Sequence, residues 1–244
     1  MNIESLFSLW SRAGVVFPSF EPSREEPLVE ELIARTSIIG RYEPRLLEGM
    51  ARWIQKHGDI INIPLMHRHI PSGATAVIGL LCDLLDSREA LKFKKLGKYC
   101  MPSPKAQMLF FAAESSPTMK AQAIENESAL NRKWNLYYTS LRIKTDAVLE
   151  RREILKRNPN LARRALFGTE MRTEILNYLL AEKTSFPAEI SKVLGYRYHR
   201  VAEEINNLLR DGTLVCRITG KKREVGIAPS FIDYLQVTPF SAVS

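Results

Sequence analysis

At 244 residues the chain is long enough to bury a full core and to divide into one domain of ordinary size and one small one. With 45% hydrophobic and 25% charged residues and no low-complexity tract, it has the composition of a soluble globular protein; its longest near-apolar stretch, Ala74 to Cys82, is far too short to span a bilayer. The net charge of +8 is uneven: Met1 to Ile61 carry more acid than base, whereas Asn131 to Arg164 hold ten Lys/Arg against three Asp/Glu, a footprint that suits an anionic partner.

No basic region followed by an apolar core opens the chain, so a cytoplasmic location without membrane contact is expected. Cys82, Cys100 and Cys216 are odd in number and far apart, and read as reduced thiols. The first half reads as helical, with no convincing period-two strands. Ile3 to Ala13 carries Leu6, Leu9 and Trp10 on one stripe, and a loop through Pro18, Pro22 and Pro27 follows. Leu28 to Ile38 forms a second helical pattern. Pro44 then sits near the first turn of a third helix, in which Leu46, Leu47, Met50, Trp53 and Ile54 recur at helical spacing until Gly58. Ile60 to Ile70 fits a short buried strand or an irregular connector equally well. Ala74 to Leu85 predicts a buried helix, Leu91 to Tyr99 a basic one, and Lys105 to Ala113 another with an aromatic pair, Phe110 and Phe111.

Trp134, Tyr137, Tyr138, Leu141, Thr145, Val148 and Leu149 keep helical spacing without Gly or Pro, which predicts one helix from about Ser128 to Arg157, roughly 45 Å long. Such a helix would lie on its own domain or serve as a dimerisation element. Asn158-Pro159-Asn160 stops it and marks the domain boundary, because the residue before a proline is pushed out of helical geometry. A short helical piece, Leu161 to Phe167, bridges the boundary.

Beyond it the elements are well punctuated. Thr169 is placed to cap a helix whose stripe is Ile175, Leu176, Leu179 and Leu180. Pro187 opens a shorter helix with Ile190, Val193 and Leu194 inside, and Gly195 ends it where a left-handed turn is wanted. The next helix, Tyr198 to Arg210, buries Val201, Ile205, Leu208 and Leu209 and closes at Asp211-Gly212. Thr213 to Ile218 and Arg223 to Ala228 then pair as a hairpin across Thr219-Gly220-Lys221-Lys222.

This order of elements, with Leu166-Phe167-Gly168 and Arg172 at its start, resembles the winged helix-turn-helix superfamily, in particular ArsR-like regulators, over about Leu166 to Ala228, under a third of the chain. Together with the periodicity of the first half, the resemblance predicts a mainly α protein: a helical domain over residues 1–158, which resembles no known family, a winged helix-turn-helix with a two-stranded wing over 159–230, and a tail over 231–244. It also implies that the helix from Tyr198 enters the major groove of double-stranded DNA. Arg197, Tyr198, His199, Arg200, Glu203, Asn206 and Asn207 would then face base edges or phosphates, and Lys221, Lys222 and Arg223 at the wing tip would meet backbone or minor groove. Glu203 and Glu204 depart from the pattern, since carboxylates in mid-helix repel phosphates.

Chemical signatures are missing. The glycines never occur two apart, which excludes a G-x-G-x-x-G loop, and no H-E-x-x-H, G-x-S-x-G or C-x-x-C is present. His67 and His69, with His57 and Cys100, have no spacing that makes a metal site, so neither metal nor cofactor is expected and no enzyme is implied. Trp53, Phe110, Phe111, Trp134, Tyr137 and Tyr138 suit the core of the helical domain better than an effector pocket. The function expected is that of a sequence-specific DNA-binding transcriptional regulator, a homodimer whose helical domain takes a small-molecule or protein effector. The alternative is a protein-interaction adaptor whose winged helix does not bind DNA and whose apolar tail, Phe231 to Phe240, helps dock the partner.

Overall fold

The computed structural model describes residues 2–125, 128–143, 145–219 and 222–235, and the chain separates into two compact units that meet at Arg157 and Asn158. The fold is mainly helical with small sheets, and no helix is long and apolar enough to cross a membrane among the described residues.

In the first unit, α1 (Ile3–Ala13), α2 (Val29–Ile39) and α3 (Pro44–His57) pack around two tryptophans. Asn2 caps α1 by accepting from the Ser5 amide at 2.8 Å, and Gly14 ends it at φ +104°, a conformation that favours glycine. The apolar stripes expected on α1 and α3 are buried, and each indole N–H finds a partner. Trp10 Nε1 donates to Thr36 Oγ1 at 2.8 Å, and Trp53 Nε1 to the Ala13 carbonyl at 2.9 Å.

The ambiguous stretch after α3 resolves into a helix, α4 (Ile63–His69). Its first turn is secured by Asn62, whose side chain accepts from the Leu65 amide while its own amide donates to the buried Glu30 carboxylate at 2.7 Å. Next come α5 (Thr75–Leu84), nearly all buried, and α6 (Leu91–Lys94), which runs into a 3-10 turn, Lys95–Tyr99.

Two expectations fail here. Lys105 to Ala113 is not a helix: it contains β1 (Gln107–Met108) and a 3-10 turn, Phe111–Ala113. The buried Arg41 guanidinium binds the Leu109 carbonyl at 3.0 Å, the Met108 carbonyl at 2.8 Å and Gln107 Oε1 at 2.9 Å, so the carbonyls that a helix would use internally are taken. After α7 (Pro117–Glu125), the long helix expected over residues 128–157 is broken into α8 (Ala129–Trp134), β2 (Leu136–Tyr137), a 3-10 turn at Thr145–Ala147 and α9 (Arg151–Arg157). Asn135 ends α8 in the left-handed region at φ 52° and donates to the Ser103 carbonyl at 2.7 Å; β2 then pairs in parallel with β1. Val148 and Leu149 lie instead against the end of α1, Val148 bridging Val15 and the Leu149 amide donating to the Gly14 carbonyl at 2.8 Å. The segment offered as a dimerisation helix is therefore not one element.

The second unit comprises α10 (Pro159–Phe167), α11 (Met171–Glu182), β3 (Thr184–Ser185), α12 (Pro187–Leu194), α13 (Tyr198–Arg210), the hairpin β4 (Leu214–Thr219) and β5 (Lys222–Ile227), and α14 (Pro229–Leu235). Its own core joins Ile175 and Leu179 of α11, Ile190 of α12, Val201, Ile205 and Leu208 of α13, and Leu214, Val225 and Ile227 of the hairpin. α10 is held to α11 by a buried ion pair, Arg164 Nε to Glu174 Oε1 at 2.8 Å and Nη2 to Oε2 at 3.1 Å. Arg163 beside it binds Asn160, Asn177 and the Leu235 carbonyl.

The sheet has three strands in the order β3-β5-β4, all antiparallel, where a two-stranded hairpin was expected. Thr184 sits opposite Gly226, and a Cβ at Gly226 would come within 3.0 Å of the Lys183 carbonyl, so glycine there lets the third strand approach. Thr169 does not cap α11. Glu170 occupies that position, without a side-chain hydrogen bond. Val193, expected inside, is 62% exposed, so α12 buries only Ile190 fully. Gly195 between α12 and α13 adopts the left-handed conformation expected of it, at φ 64°. Of the apolar tail expected over Phe231 to Phe240, the part beyond Leu235 lies outside the described residues.

Candidate nucleic-acid interface

α13 is amphipathic, with Val201, Ile205 and Leu208 buried almost completely and the opposite face in solvent. Arg197 is its N-cap residue, in extended geometry; its guanidinium carries donors only and so leaves the first amides of the helix uncapped. Tyr198, His199 and Arg200 follow on the first turn, all exposed, and Glu203, Asn206 and Arg210 continue the outward face; Asn207 is half-buried. Among the described residues neither Arg197 nor Arg200 has a carboxylate partner.

The two glutamates part company. Glu204 turns toward α11 and accepts from Arg172 Nε at 2.6 Å, a bond that also raises the guanidinium pKa, while Glu203 stays on the outward face. Only one carboxylate of the pair thus opposes the cations of the exposed surface.

β5 brings Arg223 alongside α13. Its Nη1 donates to Asn206 Oδ1 at 2.9 Å, closing one side of a cleft of about 430 Å³ that Pro187, Tyr198, Ala202 and Ile205 also line. Two residues expected to act separately are therefore joined. Asn206 keeps its amide donors and one oxygen lone pair for another partner. Lys221 lies outside the described residues, and of Lys222 only the backbone, paired with Thr219 in β4, is described. Sequence reasoning missed Arg217, on β4 where Val215 to Ile218 are all exposed, and Lys192, exposed on α12. No alternation singles out Arg217, since Val215, Cys216 and Ile218 on the same strand are exposed as well.

At least half of the ten cations in the basic segment Asn131 to Arg164 are engaged internally. Lys133 pairs with Asp83 at 2.6 Å, Arg151 with Asp59, Lys156 with Glu153, and Arg164 with Glu174, while Arg163 is consumed by amides and a carbonyl. Arg142, Arg152 and Arg157 of the same segment are exposed, so the footprint that its composition suggested is reduced at the surface but not removed.

The histidines and cysteines do not converge, and no group of three metal-binding side chains occurs among the described residues. His57 is buried, with Nε2 donating to the Leu149 carbonyl at 3.1 Å; burial lowers its pKa to about 4, the bond to Leu149 offsetting part of that shift. Burial pushes the Cys100 thiol up to about 11 and raises Cys82 as well, so both stay protonated. The aromatics likewise scatter. Trp53 and Trp134 are core, Phe111 receives the Arg41 guanidinium at 4.0 Å, and Tyr137 alone of the six lines a cleft of about 570 Å³, with Met108, Glu114, Lys120 and Ile124.

Comparison with protein-family models, with curated proteins and with solved structures finds no match for this chain.

Proposed function

We propose that the second unit is a winged helix-turn-helix that binds double-stranded DNA in a sequence-specific way, and that the protein is a transcriptional regulator. In this reading α12, Gly195 and α13 are the helix-turn-helix, β4 and β5 the wing, and β3 the short strand that ties the wing to the helices. The observation that carries it is the row Arg197, Tyr198, His199 and Arg200, exposed at the start of a helix whose other face is core. Helix N-termini and arginines without internal partners suit phosphate, and arginine also reads guanine in the major groove. Arg223 and Arg217 extend the cationic surface along the wing. A homodimer on paired half-sites and an effector held by the helical unit belong to the same proposal.

Fluorescence anisotropy with duplexes drawn from a randomised pool tests it. Binding should weaken steeply with salt and on replacing Arg197 and Arg200 by alanine, and no duplex binding even at low salt would defeat it. Glu203, unpaired with any cation among the described residues, favours a second reading in which the unit is an adaptor that docks a protein. That reading gains if the alanine variants leave DNA binding unchanged and a defined partner is captured stoichiometrically without nucleic acid.

A further inference from the structure

A second cationic surface lies on the helical unit. Residues 90–113 contain five lysines and no Asp or Glu, and residues 60–82 contain Arg68, His67 and His69, again with no acid. The fold packs these two segments together: α4 lies against the 3-10 turn Lys95–Tyr99, and the rings of His67 and Tyr99 meet edge to face at 4.6 Å. Phe93, Leu96 and Cys100 anchor the turn from below, so Lys95, Lys98 and Tyr99 are turned outward. Of the acids near these segments, Asp59 holds Arg151, Asp83 holds Lys133 and Asp86 reaches Lys94 at 3.9 Å; Glu89 and Glu114 flank the lysine segment, and Lys95 and Lys98 have no carboxylate partner among the described residues.

Here Tyr99 is 61% exposed and Met101 69% exposed, on the same stretch as the unmatched lysines. Cations that can follow a phosphate backbone, interleaved with an outward ring held in place by a neighbour, match unpaired nucleotides, whose bases have free faces to stack. Duplex DNA hides those faces. We propose that this surface is a platform for single-stranded DNA, with Lys95, Lys98 and Arg68 on the phosphates and Tyr99 stacked on a base. The surface is argued independently of the duplex-binding reading; only the choice of DNA over RNA rests on it.

The test is anisotropy of the full-length protein with labelled (dT)20, with (U)20 and phosphatidylserine vesicles as parallel arms. (dT)20 should bind, and Lys95→Gln plus Lys98→Gln should weaken it about tenfold and reduce the salt slope by about 1.4, the share of two single-strand phosphates. Tyr99→Leu should cost about tenfold and Tyr99→Phe should restore binding, since stacking needs the ring and not the hydroxyl. Arg197→Ala plus Arg200→Ala, which weakens duplex binding if the second unit acts as proposed, should leave (dT)20 binding in place. The proposal is overturned if the lysine and Tyr99 variants bind (dT)20 like the parent, if the Arg197 and Arg200 variant loses it, or if (U)20 or the vesicles bind in its stead.

Discussion

Arg197 and Arg200 carry their charge at the start of α13 without a partner among the described residues, whereas Arg164, equally basic in composition, is spent on Glu174 inside the same unit. The two kinds of arginine predict opposite outcomes. Replacing Arg197 and Arg200 by alanine should leave the melting temperature nearly unchanged and lower the salt dependence of duplex binding by about 1.8 in log-log slope, about 0.9 for each phosphate no longer neutralised. Replacing Glu174 by alanine strands a buried guanidinium and should destabilise the second unit by about 3–5 kcal/mol in urea titration, without touching the proposed DNA surface. His57 gives a pH test. Its folded-state pKa, near 4, lies below the ordinary 6.5. The unfolded chain therefore binds the extra proton between those values, so its contribution to stability is complete above about pH 6.5 and is lost as pH falls toward 4. The expected loss is about 2 kcal/mol between pH 7 and pH 4.5, read as a drop in the urea midpoint that shrinks in His57→Gln.

At the scale of elements, α1, α3, α5 and α13 were legible because each depends on its own stripe of apolar residues and a local stop such as Gly14 or Asp211. The elements misread depend on partners far away in the chain. The helical spacing from Trp134 to Leu149 is real, but Trp134 packs over Gly79, Asn135 bonds Ser103, and Val148 bridges Val15, so three distant anchors override one local pattern. β1 exists because Arg41 collects its carbonyls, and β3 because Gly226 admits it. Neither two-residue strand has a period long enough to be seen. Gly79→Ala tests the first of these anchors. Its methyl group would run into the Trp134 ring, and it should cost about 1–3 kcal/mol with a shift in tryptophan emission, whereas a neutral outcome would mean that α5 and α8 do not pack as described.

At the scale of the whole molecule, the chain holds two units with separate cores, and the proposed ligands fall on both: duplex DNA on α13 and the hairpin, single-stranded DNA on the turn after α6. A homodimer reading paired half-sites should select, from a random pool, sequences with a dyad whose halves are about 34 Å apart or a multiple of that. Selected sites without a dyad would assign the protein to a single half-site. Sequence by itself determined the mainly helical class, the stop at Asn158-Pro159, the buried face of α13 and therefore the identity of its outward residues, since helical periodicity and proline and glycine geometry act locally. Tertiary structure decided which charges reach solvent. It turned Glu204 onto Arg172, tied Asn206 to Arg223, buried Arg163 and Arg164, and brought His67 against Tyr99, because pairing depends on distances between segments that no local pattern encodes.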